Sequence, residues 1–232
     1  MTKHGHDTLR EEASEAVRET AREIKPKLRG WLHAATWPLA FLSFVVLLVL
    51  SDNLLVRAGA AVFMLSALAL FGVSAIYHTG RWSDRARMIW KRVDHATIFV
   101  LIAGSYTPFS LLLLTPTHAT ILLSVVWGGA LLGAASRIFW VGAPRWFYVP
   151  LYLLLGWAAV FYFPEFAREA STPVLVLLIV GGALYTLGAL VYGFKKPDPW
   201  PTWYGFHEVF HTLTIAAFIV HYIGVSFLAY SS

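Results

Sequence analysis

The chain has 232 residues, of which 58% are hydrophobic and only 13% are charged. A soluble domain averages about 45–50% apolar and roughly 25% charged residues, so this composition favours an integral membrane protein over a soluble one. The chain contains no cysteine. Disulfide bonds and thiolate ligands are therefore excluded, and any metal ion must be held by His, Asp or Glu.

Residues 1–30 are polar and form the first predicted unit, a cytoplasmic tail. From Thr8 to Ile24 the apolar positions recur at helical spacing, which predicts either a short amphipathic helix at the membrane surface or a flexible tail. A basic collar of Lys25, Lys27 and Arg29 follows. The tail is charged and lacks an apolar core segment, so we expect no cleavable signal peptide.

Residues 31–232 form the second predicted unit, a membrane domain with seven apolar segments. They lie near Leu32–Leu50, Leu54–His78, Asp94–Leu114, Ala119–Ile138, Phe147–Phe163, Val174–Phe194 and Trp203–Tyr230. Most have the roughly 20 residues that a helix needs to cross the hydrocarbon core. They are too long and too uniformly apolar for barrel strands. The predicted fold is therefore an all-α bundle of seven transmembrane helices.

The distribution of Lys and Arg predicts the orientation of this bundle. One side receives the tail, the loop after segment two, and the loops after segments four and six. The loop after segment two contains Arg81, Arg85, Arg87, Lys91 and Arg92. Every Lys and Arg except Arg57 and Arg168 then falls on that side. The positive-inside rule puts the N-terminus in the cytoplasm and the C-terminus outside.

Four polar residues fall at similar depth in this topology. Segment two ends at His78, segment three starts at Asp94, and His207 and His211 occupy the first turns of segment seven. His207 and His211 are four residues apart, so a helix presents both on one face. Ser74 lies one turn before His78 on the same face. Ionisable residues within a membrane segment usually mark a functional site.

Three neutral imidazoles suit zinc and leave a fourth coordination position open, as in catalytic zinc sites. The metal would hold a water that Asp94 serves as general base or orienter, and Ser74 could donate a hydrogen bond to a ligand or to that water. Asp94 could instead be a direct fourth ligand, which would make the zinc structural. A further alternative is that these histidines only hydrogen-bond helices together.

The stretch from His207 to His211 also matches the His-Glu-x-x-His pattern of zinc proteases, in which the glutamate is the general base. Glu208 is rotated about 100° from His207 on a helix, so it would face water or the basic loop. We interpret His221 as hydrogen-bonded to a neighbouring helix, and His95 as facing away from the site. The segment-end residues His33 and His118 are interpreted as interfacial, and His4 and His6 belong to the tail. The stretch 104–108 interrupts the apolar pattern of segment three. We interpret it as a kink, a close helix contact or part of a cavity lining.

Three motifs in this order resemble the progestin and adipoQ receptor superfamily, in particular its bacterial hemolysin III branch. They are Ser74-Ala-Ile-Tyr-His78, the stretch Asp94–Pro108, and His207-Glu-Val-Phe-His211 with Val220-His-Tyr-Ile-Gly224. The resemblance covers the seven-segment core. It implies a seven-helix bundle with the N-terminus inside, and zinc held by His78, His207 and His211 with Asp94 and Ser74 nearby. The superfamily includes alkaline ceramidases, which hydrolyse a sphingolipid amide.

The resulting expectation is a zinc-dependent membrane hydrolase that cleaves lipid amide or ester bonds in the inner leaflet of a bacterial cell membrane. The expected partner is a membrane lipid, as substrate or ligand, and not a nucleic acid. Two alternatives remain: a receptor or sensor in which zinc only braces helices, and a hemolysin III-type cytolytic protein. A simple pore fits poorly, because the polar residues gather at one end of the segments instead of forming a stripe.

Overall fold

The computed structural model describes residues 26–140 and 142–230, and within these ranges the regular structure is helical and contains no strand. The helices are α1 (Trp31–Leu50), α2 (Leu54–Thr79), α3 (Asp84–Leu113), α4 (Pro116–Phe139), α5 (Arg145–Gly156), α6 (Phe163–Glu169), α7 (Thr172–Phe194) and α8 (Phe206–Tyr230). A 3₁₀ turn, Ala158–Tyr162, joins α5 to α6. The predicted amphipathic helix, His4, His6 and Lys25 lie outside the described residues.

Seven helical stretches in the described part are long and apolar enough to cross a membrane, with α5, the 3₁₀ turn and α6 together forming the fifth. The prediction of a seven-transmembrane bundle is therefore confirmed. Neighbours in sequence pack side by side, and α8 contacts α1, α2, α3 and α7, which closes the bundle. Its core includes the fully buried rings of Phe44, Phe63 and Phe71. Many large apolar side chains remain exposed on the outside, as a lipid-facing surface requires.

The third span differs from its predicted limits. Helix α3 begins at Asp84, ten residues before the predicted start, because Ser83 caps it by accepting a hydrogen bond from Ala86 N. The prediction that Arg85 to Arg92 lie in a loop was therefore wrong. These residues lie on the helix, and the connection is the short stretch 80–83. Hydropathy detects only the apolar part of a helix, which here starts near Asp94.

The stretch 104–108 does not interrupt α3, which continues to Leu113. It makes a close helix contact instead, since a Cβ on Gly104 would overlap the side chain of Ser66 on α2. The break falls in the fifth span, after Gly156. There the hydroxyl of Tyr106 donates to Gly156 O at 2.6 Å and accepts from Ala159 N at 3.1 Å. Tyr106 thus satisfies backbone groups that the broken helix leaves unpaired.

Candidate metal centre

Three histidines from opposite parts of the chain meet at one end of the bundle. We call this the histidine end; α2, α4 and α7 end there, and α3, α5 and α8 begin there. His78 is in the last turn of α2, and His207 and His211 are in the first two turns of α8. Each offers one ring nitrogen, and these atoms all lie within 4.8 Å of one another. The three residues, which we call the histidine cluster, could together hold a metal ion.

The geometry of the histidine cluster fits zinc. The Nε2 atoms of His78 and His207 are 3.3 Å apart. Two ligands of a tetrahedral zinc ion are separated by a similar distance, about 3.3 Å, because Zn–N bonds are about 2.0–2.1 Å long. His78 and His211 are buried and His207 is half-buried, so packing holds the three side chains in place. Nδ1 of His211 is buried and has no hydrogen-bond partner within the described residues.

Asp94 and Ser74 lie beside the cluster, as their spacing predicts. Asp94 is buried in α3, and its Oδ2 is 3.9 Å from Nε2 of His78. Ser74 Oγ is buried and makes no hydrogen bond of ordinary geometry in the described part. Both residues border one small cavity with His207 and His211, which we call the metal cavity. A carboxylate and a hydroxyl therefore border the same cavity as two histidines of the cluster. Their roles remain predictions.

His33 is part of this site, although its position at a segment end suggested an interfacial residue. It is 2% exposed, and its ring stacks on that of His211 with centroids 3.9 Å apart. The interpretation of His33 as interfacial was wrong because α1 packs against α8, which brings its first turn over the cluster. The sequence could have indicated this contact, because His33 and His211 lie at the same end of the predicted bundle.

His95 borders the metal cavity, and its ring nitrogens contact residues outside the cluster. Its Nδ1 accepts a hydrogen bond from Nη2 of Arg137 at 2.8 Å, and its Nε2 lies 3.3 Å from the hydroxyl of Tyr192. Its backbone oxygen accepts from the Tyr152 hydroxyl. The ring nitrogens of His95 bond residues outside the cluster, but the expectation that His95 faces away from the site was wrong. It did not foresee that His95 would contribute to the wall of the cavity.

Glu208 does not face water. It is fully buried, and its Oε1 accepts from Nε of Arg29 at 2.7 Å while its Oε2 accepts from Gly205 N at 2.9 Å. The second contact is a helix-capping bond between the third residue of α8 and the residue before the helix. The expected orientation toward water or the basic loop was wrong, because Arg29 contacts Glu208 at the start of α8. These two hydrogen bonds indicate that Glu208 stabilises the start of α8.

The short segment before α1 packs directly on the cluster. Gly30 has φ +87°, and a Cβ at that position would lie 2.7 Å from Cβ of His78. The backbone amides of Lys27 and Leu28 donate to the carbonyls of Thr202 and Trp203. These contacts fix the residues preceding α1 against the loop that precedes α8. Only glycine allows both the left-handed backbone and the close approach to His78.

The remaining histidines have separate roles. Nε2 of His221 donates to Leu178 O at 3.3 Å, as its interpretation as an inter-helix bond requires. His118, at the opposite end of the bundle, pairs with Glu165.

A larger cavity lies beside the metal cavity, inside the bundle. It has about 790 Å³ of empty space, including the part that opens to the outside, and its lining is almost entirely apolar. We call it the apolar cavity. Tyr192, Phe210 and Thr214 border both cavities. The metal cavity thus adjoins a space between α3, α5, α7 and α8.

Together, these features define a multi-pass membrane protein with a buried three-histidine cluster able to hold a metal ion. A family model described as Haemolysin-III related matches residues 21–222. The chain belongs to this family.

Similar proteins come from bacteria and from animals. The chain is 34% identical over 146 residues to "Hemolysin-3 homolog" of Bacillus subtilis (strain 168), covering 62% of this chain and 68% of that protein. It is 28% identical over 135 residues to "Hemolysin-3" of Bacillus cereus, covering 58% and 61%. It is 29% identical over 187 residues to "Adiponectin receptor protein" of Drosophila melanogaster, covering 72% of this chain and 41% of that protein. These relatives support the predicted superfamily and its hemolysin III branch.

Proposed function

We propose that this protein is a zinc-dependent membrane hydrolase that cleaves a lipid amide bond, as in ceramide, or a lipid ester bond. The observation that carries the proposal is the position of the histidine cluster between two different environments. A small cavity bordered by Asp94, Ser74 and histidines adjoins a larger, almost entirely apolar cavity suited to an acyl chain. A lipid bound there would present its carbonyl to the cluster. With the predicted orientation, this occurs in the inner leaflet of a bacterial cell membrane.

Each polar residue then has a defined task. His78, His207 and His211 hold the zinc ion, which when bound supplies an electrophile that polarises a carbonyl and acidifies water. Asp94 accepts a proton from the attacking water and passes it to the leaving group. The Ser74 hydroxyl donates a hydrogen bond that orients the water or the lipid carbonyl. Glu208 has no part in this chemistry, because Arg29 and Gly205 occupy both of its oxygens.

A site with only three protein ligands supports the hydrolase, whereas Asp94 as a fourth ligand would support the structural zinc. The group of nitrogens that could share one ion comprises three histidines and does not include Asp94 among the described residues. A zinc ion with three protein ligands keeps one position for water or substrate.

A receptor with a structural zinc is the second candidate. Its support is that the cluster joins α2 to α8, which are far apart in sequence, and that one relative is named an adiponectin receptor protein. In a receptor, Asp94→Asn would leave lipid composition unchanged and alter only metal retention or stability.

The test is mass spectrometry of ceramide and diacyl lipids incubated with purified, zinc-loaded protein in neutral nanodiscs. The proposal predicts release of free fatty acid, and its loss when zinc is chelated or Asp94 is replaced by Asn. Absence of any cleaved lipid from zinc-replete protein across both bond types would contradict the hydrolase and favour the receptor.

A further inference from the structure

A third cavity opens at the histidine end and is strongly basic. It has about 1030 Å³ of empty space, including its open part, and the cations Arg29, Lys91, Arg137 and Arg145 line it. No Asp or Glu of the described residues is part of the lining. We call this space the basic vestibule. His95, Tyr192 and His207 border both the vestibule and the metal cavity, so the two spaces adjoin.

Among the residues that the structure describes, only one of these cations has a carboxylate partner. Arg29 pairs with Glu208 at 2.7 Å. Lys91, Arg137 and Arg145 form no ion pair within the described part of the chain. The guanidinium of Arg145 lies 4.9 Å from the centre of the Tyr192 ring and 5.5 Å from that of Phe206. Three positive charges therefore gather without an opposite charge from residues 26–140 and 142–230.

Arg137 is the decisive residue because it is buried. It is 3% exposed, its Nη2 donates to His95, and its guanidinium lies 4.1 Å from the Tyr148 ring centre. Its Nε and Nη1 are buried and meet no hydrogen-bond acceptor among the described residues. A guanidinium cannot lose its charge in a protein, and a buried charge without a partner is strongly unfavourable. Nε and Nη1 lie on different edges of the guanidinium, so an anion bound at either edge would supply one of the missing acceptors.

The positive-inside rule alone does not explain this arrangement. Lys and Arg are frequent at one end of any multi-pass protein, where they face water. Arg85 is such a residue: it is exposed on the first turns of α3 and does not line the vestibule. Arg137 instead points from the end of α4 into the protein. It lies beside His95, which also borders the metal cavity.

We propose that the basic vestibule binds the phosphate group of an anionic lipid. Arg137 is the main contact, and Arg145 and Lys91 provide additional positive charge. Tyr192 borders the vestibule, the metal cavity and the apolar cavity. One lipid would thus extend from its phosphate in the vestibule, past a carbonyl at the histidine cluster, to its acyl chain in the apolar cavity. The carbonyl position rests on the proposed hydrolase, whereas phosphate binding does not.

The experiment compares two lipids that differ only in a phosphate. Oleoyl lysophosphatidate and monooleoylglycerol are titrated into full-length, zinc-loaded protein in neutral nanodiscs, and binding is followed by native mass spectrometry. We expect the phosphate lipid to bind at least about tenfold more tightly, with a preference that weakens as salt increases. Equal affinity for the two lipids would overturn the proposal.

Variants identify the residue responsible. Arg137→Gln and Arg145→Gln should each reduce the preference for the phosphate lipid, Arg137→Gln the more, without changing the affinity for monooleoylglycerol. Arg137→Lys should retain part of the preference, and Arg85→Gln should retain all of it. Zinc content and thermal melting verify folding, and the less buried Arg145 supplies the test if Arg137→Gln unfolds. An undiminished preference in folded Arg137→Gln or Arg145→Gln protein would contradict the assignment.

Competition with inorganic phosphate separates the two sources of this group. Lipid recognition predicts that phosphate displaces oleoyl lysophosphatidate only at concentrations far above those of the lipid. Equal potency would mean that the vestibule takes free phosphate, and the lipid-headgroup assignment would fail. Turnover distinguishes this proposal from the hydrolase. Cleavage of both lipids without a binding preference would refute the vestibule assignment alone, and a binding preference without cleavage of any lipid would refute the hydrolase alone.

Discussion

Histidines occur at both ends of this bundle, and their surroundings differ. At one end, Nδ1 of His118 lies 2.5 Å from Oε2 of Glu165, whose Oε1 accepts from Thr115 N at 2.7 Å. That histidine has a carboxylate partner and belongs to the hydrogen bonding of the fold. At the other end, three imidazoles direct nitrogens toward a common point, and the nearby Asp94 is 3.9 Å from His78. Polar residues in a membrane bundle therefore indicate a metal site only where they converge on one another.

Removing one histidine from each end tests this difference between the two ends most strongly. His211→Ala should lose nearly all bound zinc, because two imidazoles make a much weaker site than three. His118→Ala should keep its full zinc content. The measurement is elemental analysis of purified, tag-free variants. Full zinc occupancy in His211→Ala would refute the ligand assignment, and zinc loss in His118→Ala would remove the distinction between the two ends.

Replacing the carboxylate near the cluster separates chemistry from metal binding. Asp94→Asn should keep its zinc but reduce lipid hydrolysis by about 10²–10⁴-fold, the usual contribution of a general acid–base group. The matched change at the other end, Glu165→Gln, should leave the rate unchanged. Both are measured as initial rates of fatty acid release at equal zinc content. Wild-type turnover by Asp94→Asn would exclude Asp94 from the mechanism.

Within the histidine end, the Arg29–Glu208 pair separates a contribution to stability from a contribution to zinc binding and turnover. Arg29→Ala leaves a fully buried carboxylate unpaired, which should lower the free energy of unfolding by about 3 kcal/mol. Glu208→Gln should be milder, because the amide oxygen can still accept from Gly205 N. Chemical denaturation measures both. Zinc content and turnover of Glu208→Gln should stay near wild type, and a loss of turnover above 100-fold would support the protease-like role for Glu208.

The smallest effect is expected at Gly30. Gly30→Ala adds a methyl group against His78 on a backbone with φ +87°, a conformation that costs about 1–2 kcal/mol for other residues. We expect lower stability and severalfold weaker zinc binding in a chelator competition. Gly128→Ala is the control, since no atom lies within 4 Å of its added Cβ. Equal zinc affinity in the two variants would show that the segment before α1 does not support the cluster.

The sequence predicted those parts of the site that depend on position along a helix. His207 and His211 are one turn apart, and the apolar segments bring His78 and Asp94 to the same depth, so their proximity followed from length alone. The contacts of His33 and Arg137 depend instead on which helices pack sideways, and hydropathy carries no information on that. Glu208 was misread because its orientation depends on Arg29, which lies in a segment with no periodic pattern.

The same distinction applies to the fold. Seven spans followed from runs of apolar residues, whereas the early start of α3 depends on Ser83 as a cap and on polar helical turns. The break in the fifth span depends on Tyr106, which lies about 50 residues away and bonds the freed backbone groups. Such tertiary hydrogen bonds leave no local signature in the sequence.

The central claim is that His78, His207 and His211 hold one zinc ion and leave a position open. X-ray absorption at the zinc edge of tag-free wild-type protein tests it most directly. We predict three imidazole nitrogens at about 2.0–2.1 Å and one further oxygen from water. Protein that binds no zinc, or zinc coordinated by fewer than three imidazoles, would contradict the claim.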